Sequence, residues 1–288
     1  LQPPVIAGGM MTLTWPYLDG ARLQMATNLA TPLWQDIPGS EGTNTVSLPT
    51  TEGAAFFRLV KGPKPIPPPP GMVAWWAGDG DARDLMGRNH GTLMNGAAFV
   101  EGMVGRAFVF DGRSQYVEVS NSPSLGLANA LTIEAWINLD ALPSEPATGA
   151  FVIMKMPDAE APGDWGLTVT PVGLLRPHVN VGGQWVFFDC RSTLSPGVWY
   201  HLAMTYDGSN LQGYINGSSD GTAVAQGVVR ASDNLVRIGS GAPVHGVISK
   251  GFFPGIIDEV SVFNRALTAA EIKAIYDAGS AGKLKPVR

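Results

Sequence analysis

Apolar and polar residues alternate along much of this chain, most clearly over 197–217, GVWYHLAMTYDGSNLQGYING. In Trp199–Tyr206, the residues Tyr200, Leu202, Met204 and Tyr206 share one parity, while Trp199, His201, Ala203 and Thr205 take the other. Successive strand side chains point to opposite faces, so the first set is expected to meet a core and the second to look away. Asp207-Gly208 supplies a turn, because both residues tolerate the positive φ of a tight hairpin. Residues 211–215 return, and Asn216-Gly217 repeats the turn chemistry.

The same punctuation predicts strands near 72–76, 97–100, 104–110, 115–119, 130–139, 149–156, 165–170, 174–180, 184–190, 198–206, 210–215, 222–229, 235–239 and 255–263. Such a series reads as an all-β, antiparallel sandwich or jelly roll. One short C-terminal helix follows. Thr268 and Glu271 form a capping box, Ile272, Ile275 and Tyr276 make an apolar stripe, and Gly279 fits the end. The helix is expected to plug an edge of the sandwich.

Upstream, residues 1–61 predict a small β module with strands near 11–15, 21–26, 33–37, 45–48 and 55–60. Asp19-Gly20, Pro38-Gly39, Glu41-Gly42 and Glu52-Gly53 separate them. A module of that size without a disulfide is marginal alone, so it is expected to dock on a neighbour. Between the two regions lies 62–71, GPKPIPPPPG, a proline-rich linker expected to hold polyproline II and act as a semi-rigid spacer. The predicted organisation is therefore 1–61, 62–71 and 72–288.

Composition narrows the function classes. Charged residues are 15% of the 288 residues and the net charge is −5, so there is no basic field and nucleic acid is not expected as a partner. No apolar run approaches the roughly 20 residues of a membrane span. Cys190 is the single cysteine, which excludes an internal disulfide. The chain opens at Leu1 without a charged-then-apolar leader, as expected of a mature or excised form.

WYHLAMTYDGSNLQGYING resembles the central motif of the laminin-G-like family, within the concanavalin A-like lectin/glucanase superfamily. Four further stretches fit that family in the same order: WWAGDGDARDLMGRNHGTLMNGA, GRAFVFDGRSQYVEV, LTIEAWINL and FPGIIDEVSVFNRALTAAEIKAIYDAG. The resemblance spans about 72–288 and implies a β-jelly roll; a ligand does not follow from a fold. In the small module, Arg22-Leu23-Gln24, Asn28-Leu29, Trp34 and residues 56–59 are similar to a short module often appended to secreted bacterial proteins.

Two constellations carry candidate chemistry. Asp79, Asp81, Asp84 and Asn89 cluster in one early loop, and Asp258 has the parity of Ile256, Val260 and Val262. A carboxylate among such neighbours must be paired, hydrogen-bonded or on a metal. The resemblance implies a structural Ca²⁺ between an early loop and the aspartate of the last strand, and carboxylate oxygens suit that ion. The alternative is that these residues cap turns. The second constellation is aromatic. Glu134, Trp136, Trp199 and His201 share an outer face if their strands are neighbours, but they belong to the scaffold motifs and are expected to pack. Trp165, Arg176, His178, Trp185 and Arg191 lie where the family pattern fixes little, and are the expected ligand-binding residues. Aromatic rings stack on the apolar faces of sugars while polar groups bond at the rim.

The paired carboxylates of the superfamily's glycosidases have no counterpart here. Asp79/Asp81 read as loop residues, Asp258 and Glu259 are expected on opposite faces, and no G-x-S-x-G is present. The reading is a non-catalytic, secreted or cell-surface recognition or adhesion protein, with glycan or a cell-surface protein as partner. The alternatives are a structural subunit of an extracellular assembly, with self-association, and an accessory domain of a larger secreted hydrolase.

Overall fold

The computed structural model describes residues 1–18, 20–30, 34–40, 43–50, 54–144, 149–157, 163–241 and 251–286. Asp19, Leu33, Glu41-Gly42 and Glu52-Gly53 lie outside the described residues. The chain divides into two compact units, Leu1–Lys64 and Pro65–Arg288.

The first unit holds β1 (Val5–Ala7), β2 (Met10–Thr14), β3 (Ala21–Ala26), β4 (Gln35–Asp36), β5 (Thr45–Pro49) and β6 (Phe56–Lys61). They form two three-stranded sheets, β1-β2-β5 and β4-β3-β6. Leu13, Trp15, Leu23 and Ile37 make its core. Ser40 is buried beside them, accepting from the Leu23 amide at 3.0 Å and donating to the Ile37 carbonyl at 2.7 Å, so this polar group is satisfied.

The second unit contains β7 (Met72–Trp76), β8 (Gly91–Met94), β9 (Ala98–Glu101), β10 (Arg106–Asp111), β11 (Tyr116–Val119), β12 (Leu131–Leu139), β13 (Ala150–Lys155) and β14 (Trp165–Val169). It continues with β15 (Leu175–Val181), β16 (Gln184–Phe187), β17 (Trp199–Tyr206), β18 (Asn210–Ile215), β19 (Ser218–Val224), β20 (Val236–Ile238), β21 (Pro254–Phe263) and helix α1 (Ala269–Ala278). An eight-stranded sheet runs β19-β18-β17-β12-β21-β10-β9, with β7 also on β21; a seven-stranded sheet runs β16-β15-β14-β13-β20-β11-β8. The ladders are antiparallel. Leu202, Met204 and Tyr206 of β17 share one buried core with Trp165, Leu167 and Val169 of β14 in the other sheet, as alternation requires.

Three features depart from the sequence reading. Helix α1 does not plug an edge. Its Ile272 and Ile275 pack on Ala203, Tyr214 and Phe263, which lie on β17, β18 and β21, so it lies on the outer face of the larger sheet. Part of the proline segment also joins the sandwich: the Ile66 amide donates to the Gly282 carbonyl and the Leu284 amide to the Ile66 carbonyl, at 3.1 and 2.8 Å. The third departure is a β-bulge. Glu134 and Trp136 of β12 stand opposite Ser261 and Asp258 of β21, and Glu259 between them has φ of 56°. A left-handed, non-glycine residue inside a strand shifts the side-chain alternation by one. Asp258 therefore leaves the inner face, where Ile257, Val260 and Val262 lie, and turns outward with Glu259.

Candidate functional site

The outer face of the eight-stranded sheet is closed. Trp136 keeps 3% of its surface and Glu134 and His201 none. The Tyr276 ring of α1 stacks on Trp136 at 5.7 Å, and His201 meets the same indole edge-on at 5.3 Å. His201 Nε2 lies 3.1 Å from Glu134 Oε2. These residues pack, as their scaffold motifs imply.

The acidic loop does not assemble into the expected metal centre. Both Asp84 oxygens accept from backbone amides, of Trp75, Met86, Arg88 and Asn89, at 2.8–3.1 Å. Asp81 accepts from the Arg83 amide. The Asn89 amide oxygen takes the hydroxyls of Ser122 and Ser124. Asp79 accepts from the Arg106 amide and is ion-paired with Lys285. Among the described residues no group of three acidic, histidine or cysteine side chains is arranged to hold a metal ion. The donor set therefore does not fit calcium as read from the sequence. Of the five, Asp258 alone keeps a buried oxygen, Oδ1, with no hydrogen-bond partner, while its Oδ2 accepts from Val104 at 2.9 Å.

The outer face of the seven-stranded sheet is different. On β15, Leu175 and Val179 enter the core, so Arg176, His178 and Asn180 face outward. Register pairs His178 with Phe187 and Asn180 with Trp185 of β16. The His178 ring stands edge-on to Trp185 at 5.7 Å and lies 5.5 Å from Phe187, which is 51% exposed. The Arg176 guanidinium lies 5.3 Å from the Phe187 ring centre and grips Asp189 with two bonds of 2.5 and 2.9 Å. Phe151, Met154 and Met156 pack against Trp185. Burial and the Arg176 charge push the His178 imidazole down to about 3, so it is neutral; it shares a 2.8 Å hydrogen bond with the Thr168 hydroxyl. The Asn180 amide is buried with neither its oxygen nor its nitrogen bonded.

Of the five expected ligand residues, this face unites Arg176, His178 and Trp185. Trp165 is a correction: its indole is fully buried in the core and cannot stack on a ligand. Arg191 also stands apart, with its backbone amide bonded to Asp220 of β19. Phe187 and Asn180 were missed, although each has the parity of a residue that was named. The Phe151–Met154 pair carried no such signal, because a bulge between Phe151 and Ile153 breaks the alternation.

The architecture is a concanavalin A-like jelly roll with an aromatic strip on one sheet. Residues 111–273 match the model of the laminin-G family described as the concanavalin A-like lectin/glucanases superfamily, and the chain belongs to that family. No curated protein matches the chain in sequence at a significant level. Among solved structures, domain 4 of AbnA, a GH43 extracellular arabinanase from Geobacillus stearothermophilus in complex with arabinotriose, is similar at TM-score 0.55 and 21% identity; the match covers 70% of this chain and 96% of that one. The binding domain of Paraclostridial Mosquitocidal Protein 1 is similar at TM-score 0.58 and 16% identity, over 72% of this chain and 52% of that one. The binding domain of botulinum neurotoxin DC, in complex with SialylT, follows at TM-score 0.54 and 12% identity, over 73% and 52%. This chain thus spans about half the length of those toxin domains. Likeness at these identities establishes the fold.

Proposed function

We propose that this protein is a non-catalytic, secreted recognition module that binds carbohydrate on the outer face of its seven-stranded sheet. The observation that carries the reading is the strip Trp185–His178–Phe187, with its rim of paired Arg176 and Asp189. Partly exposed rings beside fixed polar groups suit the apolar faces and hydroxyls of sugar rings. The buried, unbonded side-chain amide of Asn180, the register partner of Trp185, is a hydrogen-bonding demand next to the strip. The Asp189 carboxylate is locked by Arg176, which argues against acid–base work at this face. Similar jelly rolls that carry arabinotriose or SialylT support a glycan as ligand.

Affinity electrophoresis against a panel of neutral and acidic polysaccharides tests the proposal. Retardation on one or two polymers is expected, with Trp185→Ala lowering affinity about tenfold, the loss of one aromatic contact. Equal retardation of the variant and the parent places any binding elsewhere.

A second reading, a subunit of an extracellular assembly, draws on β1. Its Val5 and Ile6 are 65% and 66% exposed on an edge strand, the kind of edge that pairs with another copy. Sedimentation over a wide concentration range decides it: rising mass supports the assembly, and a constant monomer removes it.

A further inference from the structure

The bulge on β21 and the tail after α1 together build a buried, charged slot. Asp258 and Glu259 both turn outward, toward Glu134 of β12 and Asp79 of the early loop. Into this acidic slot the tail inserts two ammonium groups. Lys283 Nζ lies 2.8 Å from Glu134 and 3.4 Å from Glu259, with 1% of its side chain exposed, and 5.1 Å from the centre of the Trp75 ring. Lys285 Nζ bridges Asp79 and Glu259, the latter at 3.2 Å. The Trp75 indole donates to the other Glu259 oxygen at 3.1 Å. Between the lysines the backbone is pinned on both sides of Lys283 by Ile66. Glycine makes room at the slot: a Cβ at Gly102 would stand 2.6 Å from Asp258 Oδ2, and one at Gly105 equally close to Asp79 Oδ1.

We propose that this slot is a site for alkylammonium groups, filled in cis by Lys283 and Lys285, and that these lysines supply the positive charge which the resemblance assigns to a metal ion. The slot contains four carboxyl groups, of Asp79, Glu134, Asp258 and Glu259; the basic groups against them are Lys283, Lys285 and His201. Removing an ammonium leaves buried carboxylates unpaired, which is far more disruptive than losing a surface ion pair. The two long side chains also deliver charge without releasing the tail, so the cation is tethered. The bulge is what makes the slot: regular alternation would send Asp258 into the core.

Two measurements on the full chain test the site. The first is thermal unfolding in chelator, in millimolar CaCl₂ and in neither. The parent is expected to melt at one temperature in all three, while Lys283→Met melts several degrees lower. A parent that loses several degrees in chelator and regains them with calcium overturns the proposal in favour of a metal. The second is competitive acetylation read by mass spectrometry, which does not depend on any variant folding. Lys283 and Lys285 are expected to react at least tenfold more slowly than the exposed Lys61. Labelling of all three at one rate means the ammonium groups are not held in the slot.

Discussion

Trp165 and Trp185 show how much a single residue's parity decides. In WGLTV, Leu167 and Val169 share the parity of Trp165, whereas Gly166 and Thr168 take the other, so the pattern itself places this indole with the apolar set. The structure agrees: Trp165 is fully buried. Trp165→Ala is expected to destabilise the sandwich by about 3–5 kcal/mol, the range for a large aromatic truncated in a core; denaturant unfolding measures it. A loss below about 1 kcal/mol would mean that the site collapses around the gap or that the indole is not packed. Trp185→Ala is expected to cost less than Trp165→Ala, because the indole is only partly buried against Phe151, Met154 and Met156. The strip was legible in halves. Alternation groups Arg176 with His178, and Trp185 with Phe187; the local signal that joins the halves, the two-residue turn Gly182-Gly183 with both φ positive, went unused.

At the scale of elements, the most faithful sequence signal was the helix cap. Thr268 Oγ1 accepts from the Glu271 amide at 3.2 Å and Glu271 Oε2 accepts from the Thr268 amide at 2.8 Å. Arg265 adds bonds of 2.5 and 3.0 Å to the same carboxylate. The Arg265 hydrogen bonds come first among the causes and outweigh burial, holding the Glu271 carboxyl down at about 2 from an ordinary 4.5. A depressed carboxyl stabilises the fold fully above its unfolded value, and the contribution fades as pH falls toward the folded value. Stability is therefore expected to fall more steeply from about pH 4.5 to 2 in the parent than in Glu271→Gln. Parallel pH profiles from chemical unfolding would show that the carboxylate is not coupled to the cap. The bulge at Glu259 was the least legible element. Asp258-Glu259 reads as ordinary alternation, and only the left-handed backbone at Glu259 puts both acids on the outer face. The same shift removes the Asp258 side chain from the place that a period of two assigns to it.

For the whole molecule, the proline segment sets where one unit ends. Composition marks 62–71 as a spacer, because four consecutive prolines, 67–70, offer no amides to a sheet. Yet the second unit begins at Pro65, since Ile66 bonds to both Gly282 and Leu284 and the Pro70 carbonyl accepts from Arg265 at 2.7 Å. These partners lie at the far end of the chain, so no local pattern could reveal them. Two truncations separate the boundaries. A chain starting at Pro65 retains every contact described for the sandwich and is expected to unfold at the temperature of the parent's sandwich transition. A chain starting at Met72 loses the two Ile66 bonds that flank Lys283, exposes the tail and frees its ammonium groups to leave Glu134 and Glu259. It is expected to melt several degrees lower, with faster acetylation of Lys283. Calorimetry and labelling on the same samples read both effects. Equal melting of the two chains would make the segment a simple spacer, and the tail would then have to be held by its lysines alone. A lower melt without faster labelling would assign the loss to the Pro70–Arg265 contact instead. Melting and labelling that shift together tie the start of the sandwich, its last strand and its buried charges into one cooperative unit.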